Sequence, residues 1–178
     1  PGQRDTQVLF AEDEGISCLS GNVTLLEDGL NVHGDKAKAG EPFYQPYEIF
    51  TFKFDDGLKA KVAVIGLGNA ANANWDLATN YPNLSFSSLE NKDGILANEI
   101  DKWVEVVRNK EKADIVIVAV HSGLGSADSF SLESQTLMAA QATSGVDLII
   151  CGHDHQANIT VTKNSVGEDV TIVNGGGK

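Results

Sequence analysis

Two apolar runs separated by one helical segment constrain the fold of this chain more than any other feature. "ADIVIVAVH", residues 113–121, and "VDLIICG", residues 146–152, are rich in β-branched residues, as is typical of strands buried on both faces. Between them, "SLESQTLMAAQATSG" predicts a helix with Ser131 and Glu133 near its start and Gly145 after its end. A crossover of this kind makes the two strands parallel and is almost always right-handed. The sequence therefore predicts an α/β fold with a parallel βαβ unit at residues 113–152.

Periodicity and turn signals predict the remaining elements. The Asp56-Gly57 pair between two β-rich runs is a strong hairpin signal, because both residues tolerate positive φ. The predicted strand pairs are "YEIFTFKF" with "LKAKVAVIGLG" and, as an antiparallel pair, "ANITVTKN" with "DVTIVNG". The predicted helices are residues 5–14 and residues 89–110, the second with Asp93 as a candidate N-cap and an apolar stripe of Ile95, Leu96, Ile100, Trp103, Val104 and Val107. A short strand, "ISCLSGNV", and a long loop or weak hairpin, "LLEDGLNVHGDKAKAGEP", complete the prediction.

Three of the four histidines follow the two predicted parallel strands. His121 ends the first strand, and His153 and His155 follow the second. Ligands of open α/β sheets bind beyond the carboxyl ends of the strands, so these side chains should converge on one edge. Neutral imidazoles bind divalent transition metals, and Gly152 would let the backbone turn sharply before the paired histidines. We therefore predict that these three histidines are metal ligands.

Other candidate residues have less specific interpretations. Asp154, between the paired histidines, is more simply a solvent-exposed or turn-capping acid than a residue that orients a ligand. His33 lies in a glycine-rich loop and is expected to be exposed. Cys18 and Cys151 sit in apolar runs and are expected to be buried thiols, which gives no indication of a disulfide framework. Three histidines alone are too few for two-metal hydrolysis, which also needs bridging oxygen ligands.

Charge and length limit the partners and the organisation of the chain. The 178 residues carry 25 acidic and 13 basic side chains, a net charge of −12, which disfavours nucleic acid and anionic membranes as partners. No apolar run approaches the roughly 20 residues that a membrane-spanning helix needs. The chain begins at Pro1, and its only methionine is Met138. We therefore expect a piece of a longer protein, from which any signal peptide would have been lost.

The histidine motifs carry a family resemblance. "VIVAVHSGLG", followed after the helical segment by "LIICGHDHQ", resembles the second half of the calcineurin-like metallophosphoesterase domain. The nearest branch is the secreted 5′-nucleotidase and 2′,3′-cyclic-nucleotide 2′-phosphodiesterase group. "CLSGNV", "YEIFTFKF" and "VAVIGLGNAANANW" are similar to segments of that group in order and spacing. The resemblance implies part of a four-layer α/β/β/α sandwich with mixed sheets, in a periplasmic, cell-surface or secreted protein.

The resemblance also implies a chemistry. His121 and His153 would share one metal ion and His155 would hold a second, with Mn, Zn, Fe or Mg as the two divalent ions of the parent protein. Metal-activated hydroxide would attack phosphorus in a nucleotide phosphomonoester, a 2′,3′-cyclic nucleotide or another phosphoester substrate. The three histidines would act only as ligands, so the chain would contain no catalytic residue of its own.

Several motifs of that family are missing. It has an Asp-x-His, a Gly-Asp and a Gly-Asn-His, whereas this chain has one Gly-Asp, at Gly34-Asp35, and has Gly-Asn at Gly21-Asn22 and Gly68-Asn69 without a following histidine. We therefore expect residues 1–178 to be a single partial domain, the C-terminal half of the catalytic domain. The N-terminal metal-binding half and the C-terminal nucleotide-recognition domain would be absent. Such a chain would bind one metal ion or none, would be inactive, and could dimerise through an exposed strand edge.

Two alternatives stay open. Gly66, Gly68 and Ala71 spell G-x-G-x-x-A after a strand, with Glu90 further on, which is close to the fingerprint of an NAD(P)-binding Rossmann-like domain. The pattern follows a hairpin, however, and precedes an asparagine-rich stretch that favours turns over a phosphate-binding helix. The chain could also be a non-catalytic scaffold fragment.

Overall fold

The computed structural model describes residues 3–75, 81–86 and 95–177. The helices are α1 Gln3–Asp13, α2 Asn72–Trp75, α3 Ile95–Glu105 and α4 Thr136–Ala142, and a π-helical turn, Val106–Lys110, continues α3. The first strands are β1 Val23–Leu25, β2 Gly29–Leu30, β3 Lys36–Ala37, β4 Tyr47–Lys53 and β5 Lys59–Leu67. They are followed by β6 Leu84–Phe86, β7 Ile115–Val120, β8 Leu148–Cys151, β9 Ala157–Lys163 and β10 Asp169–Gly175.

A six-stranded mixed sheet organises the molecule, with strand order β4-β5-β7-β8-β10-β9. The four inner strands are parallel to one another, and β4 and β9 lie antiparallel at the two edges. The predicted βαβ unit is confirmed, since β7 pairs in parallel with β8 and Ile117 lies opposite Leu148. Both predicted antiparallel pairs are confirmed as well. Gly57, with φ of 86°, supplies the left-handed residue that the first of these turns requires.

Helices α3 and α4 cover one face of the sheet and form the main core with it. Ile100 and Val107 are fully buried, and Trp103 is 7% exposed. The predicted apolar stripe of α3 is therefore confirmed. The residues predicted to start this helix, 89–94 with Asp93, lie outside the described residues.

The opposite face of the sheet carries apolar side chains that the described residues leave open to solvent. Ile150, Val173 and Ile159 lie side by side in register on β8, β10 and β9. Ile150 is 45% and Ile159 is 74% exposed, and Phe50 on β4 continues the surface at 44%. Side chains alternate between the faces of a strand, so the buried face and this apolar face come from the same strands. The described residues thus form one helical layer on a six-stranded sheet, with two short two-stranded sheets beside it, a partial version of the expected four-layer sandwich.

The smaller elements refine the prediction. The short strand expected over residues 16–23 is β1, which begins only at Val23 and pairs with β6, and the expected weak hairpin is β2 with β3. The start predicted for the helix in the βαβ unit was wrong, since α4 begins at Thr136 without a side-chain cap. Ser131 instead accepts a hydrogen bond from the Glu133 N–H in the loop before it, at 3.3 Å.

Candidate functional site

The inner parallel strands all end at one edge of the sheet, and the histidines follow two of them. His121 comes directly after β7, and its N–H donates to the carbonyl of Leu67 on β5 at 3.0 Å. His153 follows β8. Its Nδ1 lies 3.1 Å from Nε2 of His121, and the two rings meet edge to face. The structure thus brings these two predicted site residues together at the sheet edge where they were expected.

An open cleft of about 650 Å³ lies at this sheet edge and is lined by His121, His153 and His155. The ring of His155 lies against Gly177, where an added Cβ would come 3.0 Å from Cγ of the imidazole. The backbone of His155 is left-handed, with φ of 56°, a conformation that costs a non-glycine residue of order 1–3 kcal/mol and clusters at functional sites. Gly152 was expected to make this turn, but it is not among the residues with positive φ. The left-handed residue of the turn is the histidine itself.

Two side chains that the sequence did not indicate as site residues contact the ring of His153. The indole of Trp75 stacks on it with centroids 5.7 Å apart and planes at 23°. Oε2 of Glu133 lies 3.1 Å from Nε2. Glu133 was interpreted only as part of a helix start, and Trp75 only as the end of a family-like segment. No spacing in the sequence indicates that either residue reaches a histidine.

Asp154 joins three segments around the site. Its carboxylate accepts hydrogen bonds from the Leu124 N–H at 3.0 Å, from the Asn174 side-chain amide at 2.6 Å and from the Gln156 N–H at 3.3 Å. Partial burial acts to raise the pKa of Asp154, but these hydrogen bonds outweigh it and lower the pKa below its usual range. The predicted turn-capping role is present in the bond from Gln156. The other two bonds tie the loop after β7 and the end of β10 to the histidine turn.

The electrostatics of the cleft favour an uncharged His121. Partial burial lowers the pKa of His121, and the neighbouring His153 and His155 lower it further, because each would repel a charged imidazolium. Neutral imidazole is the form that binds a metal ion.

The ring nitrogens of His121 and His153 that face each other are spaced as two ligands of one metal ion would be. Two nitrogens that each lie about 2.0–2.1 Å from one zinc ion are roughly 3 Å apart at the usual coordination angles. The observed separation of 3.1 Å between His121 Nε2 and His153 Nδ1 matches that geometry. Within the described part of the chain, however, no group of three or more His, Cys, Asp or Glu side chains is arranged to hold a metal. The pair is therefore an incomplete ligand set.

The Gly-Asn pairs have structural roles in the loops beside the site. The amide of Asn22, which is 3% exposed, accepts from the Gly68 N–H at 2.8 Å and donates to the Gly68 carbonyl at 2.9 Å. The Asn69 side chain donates to the carbonyl of Glu133 at 3.1 Å. Both asparagines tie loops together, which accounts for their burial.

The glycines of the dinucleotide-like pattern are explained by packing. A Cβ on Gly66 would overlap the Cβ of Leu19, so this glycine allows two backbone segments to approach closely. The Ala71 N–H donates to the Asn69 side chain in a tight turn. Helix α2 spans only Asn72–Trp75 in the described residues, and Glu90 lies outside them. The pattern therefore runs from the end of β5 through a tight turn to the start of α2.

The remaining predictions concern isolated side chains. Cys151 is buried as expected, whereas Cys18 is only half-buried, so the expectation was wrong for that residue; both thiols are free. His33 is exposed, as predicted, with Nδ1 3.4 Å from a carboxylate oxygen of Glu12.

Comparison with known proteins identifies the family. Residues 13–166 match the family described as bacterial capsule synthesis protein PGA_cap. The chain belongs to this family. It is also similar to a 2′,3′-cyclic-nucleotide 2′-phosphodiesterase/3′-nucleotidase of Yersinia enterocolitica, with 27% identity over 130 residues. That match covers 71% of the chain but only 19% of the curated relative, so the chain spans about a fifth of that protein.

Solved structures show the fold of this family member. The calcineurin-like phosphoesterase YfkN of Bacillus subtilis superposes with a TM-score of 0.59 at 24% identity, over 80% of this chain and 38% of that one. The sulfate thiohydrolase SoxB of Thermus thermophilus superposes with a TM-score of 0.65 at 20% identity, over 98% of this chain and 26% of that one. The resemblance that the histidine motifs indicated is confirmed: the chain has part of the calcineurin-like phosphoesterase fold.

Proposed function

We propose that the protein containing this chain is a metal-dependent phosphoester hydrolase, and that this chain supplies histidine ligands to its metal centre. The observation that carries the proposal is the 3.1 Å separation of His121 Nε2 and His153 Nδ1 at the carboxyl ends of β7 and β8. The name of the Yersinia relative supports nucleotide phosphomonoesters or 2′,3′-cyclic nucleotides as the substrate class. The family description, capsule synthesis, names a process without specifying a reaction.

The proposed ligands divide between two divalent ions, chosen from Mn, Zn, Fe and Mg. His121 and His153 hold one ion through facing ring nitrogens, and His155 holds the other from the same cleft. When bound, such ions supply Lewis-acid activation of water and neutralise phosphate charge. The positive charge matters here, because a chain with a net charge of −12 otherwise repels an anionic substrate. The histidines serve as ligands and transfer no proton, since a coordinating nitrogen has its lone pair engaged.

The remaining parts of the proposed site come from outside residues 1–178. Bridging oxygen ligands and a proton donor for the leaving group are both needed, so the isolated chain binds at most one metal ion and is inactive. We place the whole protein in the periplasm, at the cell surface or outside the cell, in keeping with the nucleotidase group that the motifs resemble. Among the described residues, no helix has the length and apolar character needed to cross a bilayer.

Metal titration of the chain tests the proposal. Isothermal titration calorimetry with Zn²⁺ and Mn²⁺ should show binding that His121→Ala or His153→Ala weakens at least about 100-fold, since even a residue that only supports a ligand is worth 10–100-fold. His33→Ala, at an exposed histidine away from the cleft, should leave the affinity unchanged and serves as the control. Equal loss in all three variants, or metal binding that survives both cleft substitutions, would contradict the assignment. Metal-dependent hydrolysis of a 2′,3′-cyclic nucleotide by the isolated chain would contradict its predicted inactivity.

A further inference from the structure

The imidazole of His153 is held from three sides by side chains of three different segments. His121 faces its Nδ1 at 3.1 Å, and Glu133 faces its Nε2 at 3.1 Å. Trp75 covers the ring face at a centroid distance of 5.7 Å. Each of these contacts limits a different rotation or tilt, so the direction of both ring nitrogens is set.

The contact with Glu133 decides which nitrogen of His153 carries the proton. A carboxylate oxygen can only accept a hydrogen bond, so Nε2 must be the protonated nitrogen of the ring. In the neutral imidazole, Nδ1 is then left with its lone pair, and that lone pair points at Nε2 of His121. In the opposite tautomer, Nδ1 of His153 would carry the proton and would donate it toward Nε2 of His121. Nε2 of His153 and the carboxylate of Glu133 would then both be acceptors and could not form a hydrogen bond with each other.

The main chain of Glu133 is anchored independently of this contact. Its carbonyl accepts from the Gly123 N–H at 3.0 Å and from the side chain of Asn69 at 3.1 Å. The loop after β7 folds tightly onto the same segment, because a Cβ on Gly125 would overlap the carbonyl oxygen of Ser134. The carboxylate therefore extends toward His153 from a backbone position that two neighbouring loops fix.

We infer that Glu133 is a positioning residue that holds His153 with Nε2 protonated, so that Nδ1 keeps its lone pair for the metal ion shared with His121. The inference rests on the proposed function for the presence of that ion. Carboxylates that orient a ligating histidine typically change metal affinity 10–100-fold when removed. The Glu133 side chain is 51% exposed, so its contact with the ring contributes little to the stability of the fold. A positioning role can therefore be separated from a structural one.

Nitrogen-15 NMR of the metal-free chain, labelled at its four histidines, tests the tautomer directly. In the unsubstituted chain, His153 should show a protonated Nε2 whose ring N–H proton exchanges slowly with water. Glu133→Ala should abolish that protected resonance, and Glu133→Gln, which keeps an acceptor oxygen, should retain it. Asp128→Ala removes an exposed carboxylate from the same loop and should leave the resonance unchanged. A His153 ring that is protonated on Nδ1, or a resonance that survives Glu133→Ala, overturns the inference.

Zn²⁺ affinity of the same variants separates this inference from the proposed function. Glu133→Ala should weaken binding 10–100-fold with the melting temperature unchanged, Glu133→Gln should weaken it less than 10-fold, and Asp128→Ala should have no effect. Zinc binding that depends on His121 and His153 but is indifferent to Glu133→Ala would overturn the inference and leave the proposed function standing. Zinc binding that is indifferent to the histidines would overturn the proposed function, while the NMR signature would still decide the tautomer.

Discussion

At the scale of single residues, Glu99 on helix α3 has a partly buried carboxyl group. Burial raises the pKa of this carboxyl, and the ammonium of Lys102, 3.9 Å away, lowers it only in part. Its Oε2 is buried without a hydrogen-bond partner in the part of the chain that the structure describes. Because the pKa is raised in the folded state, the folded protein binds more protons than the unfolded chain between the ordinary and the raised value. Stability should therefore fall as the pH rises through that window.

Glu99→Gln should stabilise the protein at neutral pH by about 1 kcal/mol, because it removes a partly buried charge without changing the size of the side chain. The gain should disappear at about pH 3, where the carboxyl is protonated in both states. Urea unfolding at the two pH values measures the difference. Glu105→Gln, at an exposed position of the same helix, is the matched control and should change stability by less than about 0.5 kcal/mol. A gain from Glu99→Gln that is independent of pH would show that charge burial is not its cause.

How much of the site could be predicted also differs from residue to residue. His121 and His153 could be predicted to meet, because each lies within two residues of the end of one of two parallel strands and strand direction fixes where those ends lie. Glu133, Trp75 and Asn174 could not, because they reach the site from a loop, from the short helix α2 and from the end of β10. Their placement depends on how the loops fold over one another, which neither periodicity nor motif spacing describes.

At the scale of elements, the π-helical turn after α3 uses one arginine to connect three segments. The guanidinium of Arg108 donates to the carbonyls of Gly145 at 2.9 and 3.0 Å, Ala113 at 3.0 Å and Asp114 at 2.7 Å. It also forms an ion pair with Asp147 at 2.6 Å. These bonds fix the starts of β7 and β8 relative to α3. The apolar periodicity predicted a helix through Lys110, but it gave no sign of the π-helical turn, which keeps Val107 buried while turning Arg108 toward the sheet.

Arg108→Lys should lower stability by about 2 kcal/mol, because an ammonium cannot reproduce the planar set of donors that serves several carbonyls at once. The expected result in a thermal melt is a drop of several degrees with the two-state transition retained. Lys110→Ala in the same turn, at an exposed side chain, should leave the melting temperature within about a degree. A melting temperature that Arg108→Lys leaves unchanged would mean that these hydrogen bonds contribute nothing net.

At the scale of the whole molecule, the sheet combines an open apolar face with an exposed edge. Strand β9 is the outermost strand, and its Ile159 and Val161 are 74% and 60% exposed. An exposed edge strand with apolar side chains favours pairing with another chain. The fold class could be predicted at this scale, because buried parallel strands and their crossover helix leave few topologies. The uncovered face could not be inferred from hydrophobicity alone, since apolar runs do not reveal which face another layer covers.

We expect residues 1–178 to self-associate through the β9 edge. Light scattering coupled to size-exclusion chromatography should show a mass that rises from monomer toward dimer with concentration. Ile159→Lys places a charge on the edge strand and should raise the dissociation constant at least about 10-fold. Val166→Lys, at a 65% exposed valine in the turn after β9, should have a much smaller effect. A monomeric mass at all concentrations would contradict the expectation.

The position of β10 sets an order for folding during translation. Strand β10 lies between β8 and β9, and β9 has no other neighbour in the described sheet. The ribosome makes β8 and β9 before β10. Until β10 has been made, the nascent chain therefore lacks the strand that lies between the other two. The same late strand brings Asn174 to Asp154 and places Gly177 against His155. A nascent chain that already contains all three cleft histidines therefore still lacks the part of the lining that Gly176 and Gly177 supply. The complete cleft can form only after Gly177 has left the exit tunnel.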